Sequence, residues 1–133
     1  MEDVAAKAEA VIKSLVYKDN RNRDKIDLTT GQIRKFLTAV NSLTSKITVY
    51  KAQHGQLDTL PDNLVAEIKY LKVKIAYQAG RDKSRNNTIK TFVEKAKLFE
   101  KIDTIGNNIQ EFEKFAYYIE ALVAYHKFYG GRD

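Results

Sequence analysis

A single proline and only six glycines punctuate the 133 residues of this chain. Long stretches contain neither residue, so the many tight turns of a β fold have nothing to build on. Such stretches have to declare themselves at helical period, and they do. Val4, Ala8, Val11, Ile12 and Leu15 make the apolar stripe of a helix expected from Asp3 to Tyr17. A second helix is predicted to start at Thr29 or Thr30, where Thr29 and Gln32 have capping-box spacing. Ile33, Phe36, Leu37, Val40, Leu43 and Ile47 carry it toward His54–Gly55. A third opens around Thr59–Asp62, with Pro61 in the first turn, where its missing N–H costs nothing. It turns Leu64, Ile68, Leu71, Ile75 and Ala79 inward, and Gly80 is its expected C-terminal cap. A fourth follows Asn86 or Asn87 and buries Ile89, Phe92, Val93, Ala96, Phe99 and Ile102. A fifth begins at Asn108, with Glu111 at capping-box spacing, and stops at Gly130–Gly131. Residues 18–25, KDNRNRDK, lack an apolar anchor and read as a solvated, mobile loop. The expectation is an all-α fold, a single-domain bundle of about five helices over residues 1–133.

The last helix carries more apolar surface than one face needs. Ile109, Phe112, Ala116, Ile119 and Val123 form one stripe, and Tyr118, Leu122, Tyr125 and Tyr129 a second on the other side. A helix apolar nearly all round is buried on both sides. It is therefore either the central helix of the bundle or a contact with another subunit, and its length and apolarity favour the centre.

Charge is distributed unevenly. Residues 69–101 hold ten Lys/Arg against three Asp/Glu, a net of +7, while the whole chain carries +6. A localised basic field concerns partners rather than fold. On a helix, Tyr70, Lys74, Tyr77 and Arg81 line up along one face, and alternating rings and cations suit a chain of phosphates and bases. Arg34 and Lys35 add charge just after a capped helix start, where backbone N–H groups already favour an anion.

Little points to catalysis. The absence of cysteine removes disulfides, thiolate chemistry and zinc–thiolate sites. His54 and His126 have no metal-ligand spacing, and His126 reads as an edge or core imidazole. No Walker-type glycine-rich phosphate loop occurs. Glu113 and Glu120 are expected to cap or to bridge to Lys/Arg rather than to act as an acid–base pair. No metal and no cofactor are expected. No apolar run approaches the roughly 18 residues of a membrane span, and the acidic N-terminus lacks a signal-peptide block, so a cytoplasmic address without membrane contact is expected.

Three segments sharpen this. LTTGQIRKFL (28–37), EIKYLKVKIAYQAGRD (67–82) and FEKFAYYIEALVAYHKFYGG (112–131) together resemble the small subunit of the type III-A CRISPR interference complex, the Csm complex. The blocks Leu-Thr-Thr-x-x-x-Arg, Tyr-x-Ala-Gly-Arg and Glu-Ala-Leu-Val-Ala-Tyr are each uncommon and occur in order. The likeness covers a core of residues 28–131, while residues 1–27, a variable N-terminal helix and loop, carry little of it. Gly31 departs from the pattern, where the family tends to have a better helix former.

The resemblance implies a helical subunit with no catalytic activity of its own. Copies stack head-to-tail in an inner filament beside larger backbone subunits that hold the guide RNA, and they line the path of the target RNA paired to that guide. Cleavage of RNA and DNA belongs to other subunits: the backbone subunit and the large multidomain subunit. Arg34, Lys72 and Arg81 match the family blocks and are the expected RNA phosphate contacts. Lys35, Lys69, Lys74 and Arg85 join them by position and charge. A DNA-binding helical protein and a protein-interaction adaptor are the competing readings. The first needs a helix–turn–helix pair that the predicted second and third helices do not form.

Overall fold

A computed structural model describes residues 3–55, 58–84 and 86–132. The element order is α1 (Val4–Leu15), β1 (Tyr17–Lys18), β2 (Asp24–Lys25), α2 (Thr30–His54), α3 (Asp62–Arg81), α4 (Thr88–Ala96), α5 (Leu98–Ile105) and α6 (Ile109–Phe128). The chain is all-α, with one two-stranded antiparallel ribbon pairing Tyr17 with Lys25 and Lys18 with Asp24. Helix starts follow the capping chemistry of the sequence. Asp3 accepts the Ala6 N–H, and Thr29 and Gln32 complete a reciprocal capping box. Asn108 accepts the Glu111 N–H.

Helix α6 is the axis of the bundle. It packs against α1, α2 and α5. Phe112, Phe115, Tyr118, Ile119 and Leu122 are all buried along it, so the second stripe turns inward as far as Leu122. Tyr125 and Tyr129 are partly buried, and the Tyr129 hydroxyl donates to the Glu9 carboxylate of α1. His126 is buried, with Nε2 2.6 Å from the Leu28 carbonyl oxygen. That contact lies just before α2. Beside it the Gly131 N–H donates to the His126 carbonyl at 2.7 Å, and the Thr30 N–H donates to the Arg132 carbonyl at 2.7 Å. A Cβ at Gly131 would stand 2.0 Å from the imidazole, so only glycine fits against this ring. The C-terminal residues thus clasp the first turn of α2.

Helix α3 lies outside this layer, against α2, α4 and α5. It buries Leu64, Ile68, Leu71 and Ile75, as the period requires. The segment before it is tied to the start of α6, where Leu60 and Ile109 donate N–H groups to the carbonyls of Asn107 and Asp58.

Three local expectations change. The expected fourth helix is two helices, broken at Lys97 with φ 55°. On one continuous helix Leu98 would fall about 180° from Ile89 and face solvent. The break resets the register so that Leu98, Ile102 and Ile105 all reach the core. It also leaves the Ala96 carbonyl free to accept the Tyr118 hydroxyl at 2.9 Å. The expected loop at residues 18–25 is instead the tip of the ribbon. Asp19 organises it, accepting from the Arg21 and Arg23 N–H groups at 2.8 and 2.9 Å. Finally, Gly80 stays inside α3, which ends one residue later with Asp82 as its cap.

Two predictions follow from this packing. Tyr118→Ala is expected to cost about 3–5 kcal/mol and Tyr118→Phe about 1 kcal/mol, with half-buried Tyr125→Ala costing less than Tyr118→Ala, all measured by denaturant titration. Lys97→Gly removes the side-chain cost of a left-handed residue and is expected to stabilise by up to about 1 kcal/mol, read as a higher denaturation midpoint at constant slope.

Candidate nucleic-acid interface

The facing surfaces of α2 and α3 build the candidate site. Gln32, Lys35, Ala39, Ser42 and Lys46 recur along one side of α2 at helical spacing, and Lys74, Gln78 and Arg81 along one side of α3. The seam between them is a row of open clefts. At the α2 start, Gln32, Lys35, Gln78, Arg81, Asp82 and Lys83 line a cleft of about 230 Å³. Farther along, Ser42, Lys46, Glu67, Tyr70 and Lys74 line a second, of about 270 Å³. Lys46 and Glu67 also border a third, wider groove that ends at Tyr50 and His54, whose rings stack 4.3 Å apart.

Charge in the first cleft is one-sided. Lys35, Arg81 and Lys83 meet a single carboxylate, Asp82. That carboxylate is occupied: it accepts the Ile89 and Ser84 backbone N–H groups, each at 2.9 Å. The Ile89 N–H first, then the Ser84 N–H and hydroxyl, hold the Asp82 carboxyl below its usual range. Asp82 therefore caps α4 across the loop, a job that Asn87, in left-handed conformation, leaves undone. Lys35 and Lys83 have no carboxylate partner among the described residues. The Arg81 guanidinium sits 5.4 Å over the Tyr77 ring.

The residues named from sequence fall in different places. Lys35 and Arg81 share the first cleft, and Lys74 lines the second. Arg34 is exposed beside Lys35, and Lys69 is exposed on α3. Lys72 is turned to the other flank. Its ammonium pairs with Asp103 at 2.9 Å and lies 5.6 Å over Phe99, fastening α3 to α5. Arg85 lies outside the described residues. The aromatic stripe on α3 is exposed, with Tyr70 at 56% and Tyr77 at 66%. Glu113 bridges to Lys51 at 3.1 Å. Gln78, Asp82 and Lys83 line the cleft without having been proposed for it from sequence, and Gln32 stood out there only as a capping residue. The signal was a glutamine three residues before a cation on both helices, Gln32–Lys35 and Gln78–Arg81.

Known proteins are similar to this chain in sequence. The model of the family described as Csm2 Type III-A matches residues 4–132. The chain belongs to the Csm2 type III-A family. Csm2 is a subunit of the type III-A CRISPR Csm complex, which makes this chain a Csm subunit by family. It is 39% identical over 132 residues to the CRISPR system Cms protein Csm2 of Streptococcus thermophilus, covering 99% of this chain and 95% of that protein. A protein of the same name from Mycobacterium tuberculosis (strain ATCC 25618 / H37Rv) is 36% identical, covering 100% of this chain and 97% of its own length. The one from Enterococcus italicus is 35% identical over 135 residues, covering 97% and 90%. No helix among the described residues of this Csm2-family chain is long and apolar enough to cross a membrane.

The Asp82 geometry yields a pH expectation. A carboxyl depressed in the fold adds stability above its unfolded value, near 3.9, and loses it as pH falls through the lower folded value. Amide-exchange protection of Ile89 is thus expected to hold from neutral pH down past the ordinary carboxylate range and to fail only below it. In Asp82→Ala the protection of Ile89 is expected to be lost at every pH, with about 1 kcal/mol of stability.

Proposed function

We propose that this Csm2-family chain is a non-catalytic RNA-binding subunit of the type III-A effector complex. Copies stack head-to-tail along the guide–target duplex and contact the target RNA backbone along the α2/α3 seam. The observation that carries this reading is the first cleft. Lys35, Arg81 and Lys83 converge there around one acid whose oxygens are taken by backbone N–H groups. Phosphate oxygens complement such a site, and exposed Tyr70 and Tyr77 beside it offer rings to unpaired bases. Pairing with a guide reads sequence, so the protein needs only backbone and shape. Arg34, Lys35, Lys74 and Arg81 are the proposed phosphate contacts, with Lys69 and Arg85 at the margins. Lys72 joins them only by giving up Asp103. The proposed partners are guide and target RNA, the backbone and large subunits, and further copies of this chain. Exposed Tyr117 and Phe128 on α6 suit contacts with protein neighbours. Two of the side chains an enzyme could draw on are otherwise engaged: His126 bonds inside the core and Glu113 pairs with Lys51.

Arg34→Ala, Lys35→Ala and Arg81→Ala are each expected to change stability by less than about 0.5 kcal/mol. In the assembled complex each is expected to weaken target RNA by about 1.5–3 kcal/mol, equally for every target sequence, with the salt slope reduced by about one per lost contact. Guide RNA stays bound. Wild-type target affinity and salt slope in the triple variant would move the RNA path off this seam.

A further inference from the structure

The first cleft holds two amides among its cations, and they differ. Gln32 Oε1 accepts the Thr29 N–H at 2.9 Å and is committed to the α2 cap. Gln78 Oε1 is buried and has no hydrogen-bond partner among the described residues. A buried acceptor left unmet is costly, and native structures rarely keep one without a purpose. Its helix offers no remedy, because the backbone N–H groups of α3 around it are taken by the helix itself. Gln78 lines the cleft together with Lys35, Arg81 and Lys83. Lys35 and Arg81 are cations that the proposed reading already assigns to phosphate, and Lys83 stands in the same cleft. The terminal torsion of glutamine is soft, so a turn of the amide brings the oxygen into the cleft at little cost.

A ligand that relieves this oxygen has to bring a donor, and bring it next to a phosphate. Phosphate oxygens of a nucleic-acid backbone only accept, and deoxyribose within a strand has no hydroxyl to give. Ribose has one, the 2′-hydroxyl, one sugar bond from the phosphate. We infer that Gln78 is a specificity residue of this cleft: its amide oxygen accepts a hydrogen bond from a ribose 2′-hydroxyl while Lys35, Arg81 and Lys83 hold the adjoining phosphates, so the subunit distinguishes RNA from DNA. This rests on the proposed phosphate-binding role of the seam and adds sugar recognition to it. Charge alone binds either backbone, since both carry the same phosphates. The amide supplies the discrimination that the cations lack. The same geometry explains why an amide stands here rather than another lysine: an ammonium donates and has no lone pair for a hydroxyl hydrogen.

The test uses the full-length chain and three unstructured oligonucleotides of one sequence, as RNA, as DNA and as 2′-O-methyl RNA. The methylated strand keeps the ribose but cannot donate. Wild type is expected to bind RNA about three- to tenfold more tightly than 2′-O-methyl RNA, the effect of one hydrogen bond. Gln78→Met, close in length and helix propensity, is expected to bring that ratio near one while DNA affinity stays put. Gln78→Glu keeps the acceptor, so it is expected to weaken all three ligands by charge yet preserve the RNA preference. Equal wild-type affinity for RNA and 2′-O-methyl RNA, or an unchanged preference in Gln78→Met, overturns the assignment. The Lys35→Ala, Arg81→Ala double variant keeps the two readings apart. If it weakens all three ligands alike while Gln78→Met leaves the preference intact, only the role of Gln78 fails. If it binds like wild type, the phosphate site itself fails, and the Gln78 assignment with it.

Discussion

Burial of one broad face of α6 along its whole length is the constraint on which the rest of this molecule depends. Phe112, Phe115, Tyr118, Ile119 and Leu122 share that face, and α1, α2 and α5 have to cover it. Once α1, α2 and α5 occupy those sides, α3 is displaced to an outer layer. A helix in that position needs one apolar stripe, and Leu64, Ile68, Leu71 and Ile75 supply it. Of the rest of α3, Lys72 and Glu67 are engaged inside the fold, by Asp103 and Lys46, while Lys69, Tyr70, Lys74 and Tyr77 are exposed. Lys74 and Arg81 border the clefts against α2, with exposed Tyr70 beside Lys74 and exposed Tyr77 under the Arg81 guanidinium. The site thus comes from the order of packing. A helix with two apolar faces took the centre and left a helix with one apolar face outside.

The buried imidazole connects this core to the site. His126, two residues before the end of α6, bonds the Leu28 carbonyl and holds Gly131 against its ring, and Arg132 in turn receives the Thr30 N–H. The three contacts fix where α2 begins. Lys35 lies about one turn into that helix. A lysine has a long flexible stem, so its useful position depends on how firmly its backbone is set. Here the backbone is held from two directions, by the capping box within the chain segment and by the C-terminal clasp across the fold. Asp82 does the same for the opposite wall of the cleft, since it joins the end of α3 to the start of α4.

Most of the helical architecture was legible because burial writes a period into sequence. The stripes of α2 and α3 read off directly, and so did the Thr29–Gln32 and Asn108 caps, because those depend on side chains within one turn. The break at Lys97 was missed for a specific reason. Ile89, Phe92, Ala96, Phe99 and Ile102 keep a plausible single stripe through it, and lysine carries no signal for a left-handed conformation. The contrary signal was Leu98 and Ile105, apolar residues on the wrong side of that stripe. The ribbon at Tyr17–Lys25 was hidden because its order comes from one carboxylate collecting donors, not from apolar anchors. Gly80 misled because a glycine permits a cap without requiring one, while Asp82, which takes up the N–H groups beyond, reads in sequence as an ordinary loop acid.

The candidate site was legible in type and only partly in membership. Sequence located the basic third of the chain and the ring–cation stripe, since both are local properties. It could not say which cations are spent inside the fold, because that depends on acids distant in sequence. Lys72 and Lys74 illustrate the difference. They are two residues apart, equal in charge, and on opposite flanks of one helix. Lys72 meets Asp103 of α5, thirty-one positions on, and becomes a fastener. Lys74 faces a cleft whose acid, Glu67, is already paired with Lys46. Asp82 gives the complementary lesson, as an acid in the basic cleft whose oxygens point at backbone N–H groups rather than at Lys35 or Arg81. A basic surface therefore binds through the cations whose acids are engaged elsewhere. On this molecule Lys35, Lys74 and Lys83, for which no carboxylate partner occurs among the described residues, line the α2/α3 seam.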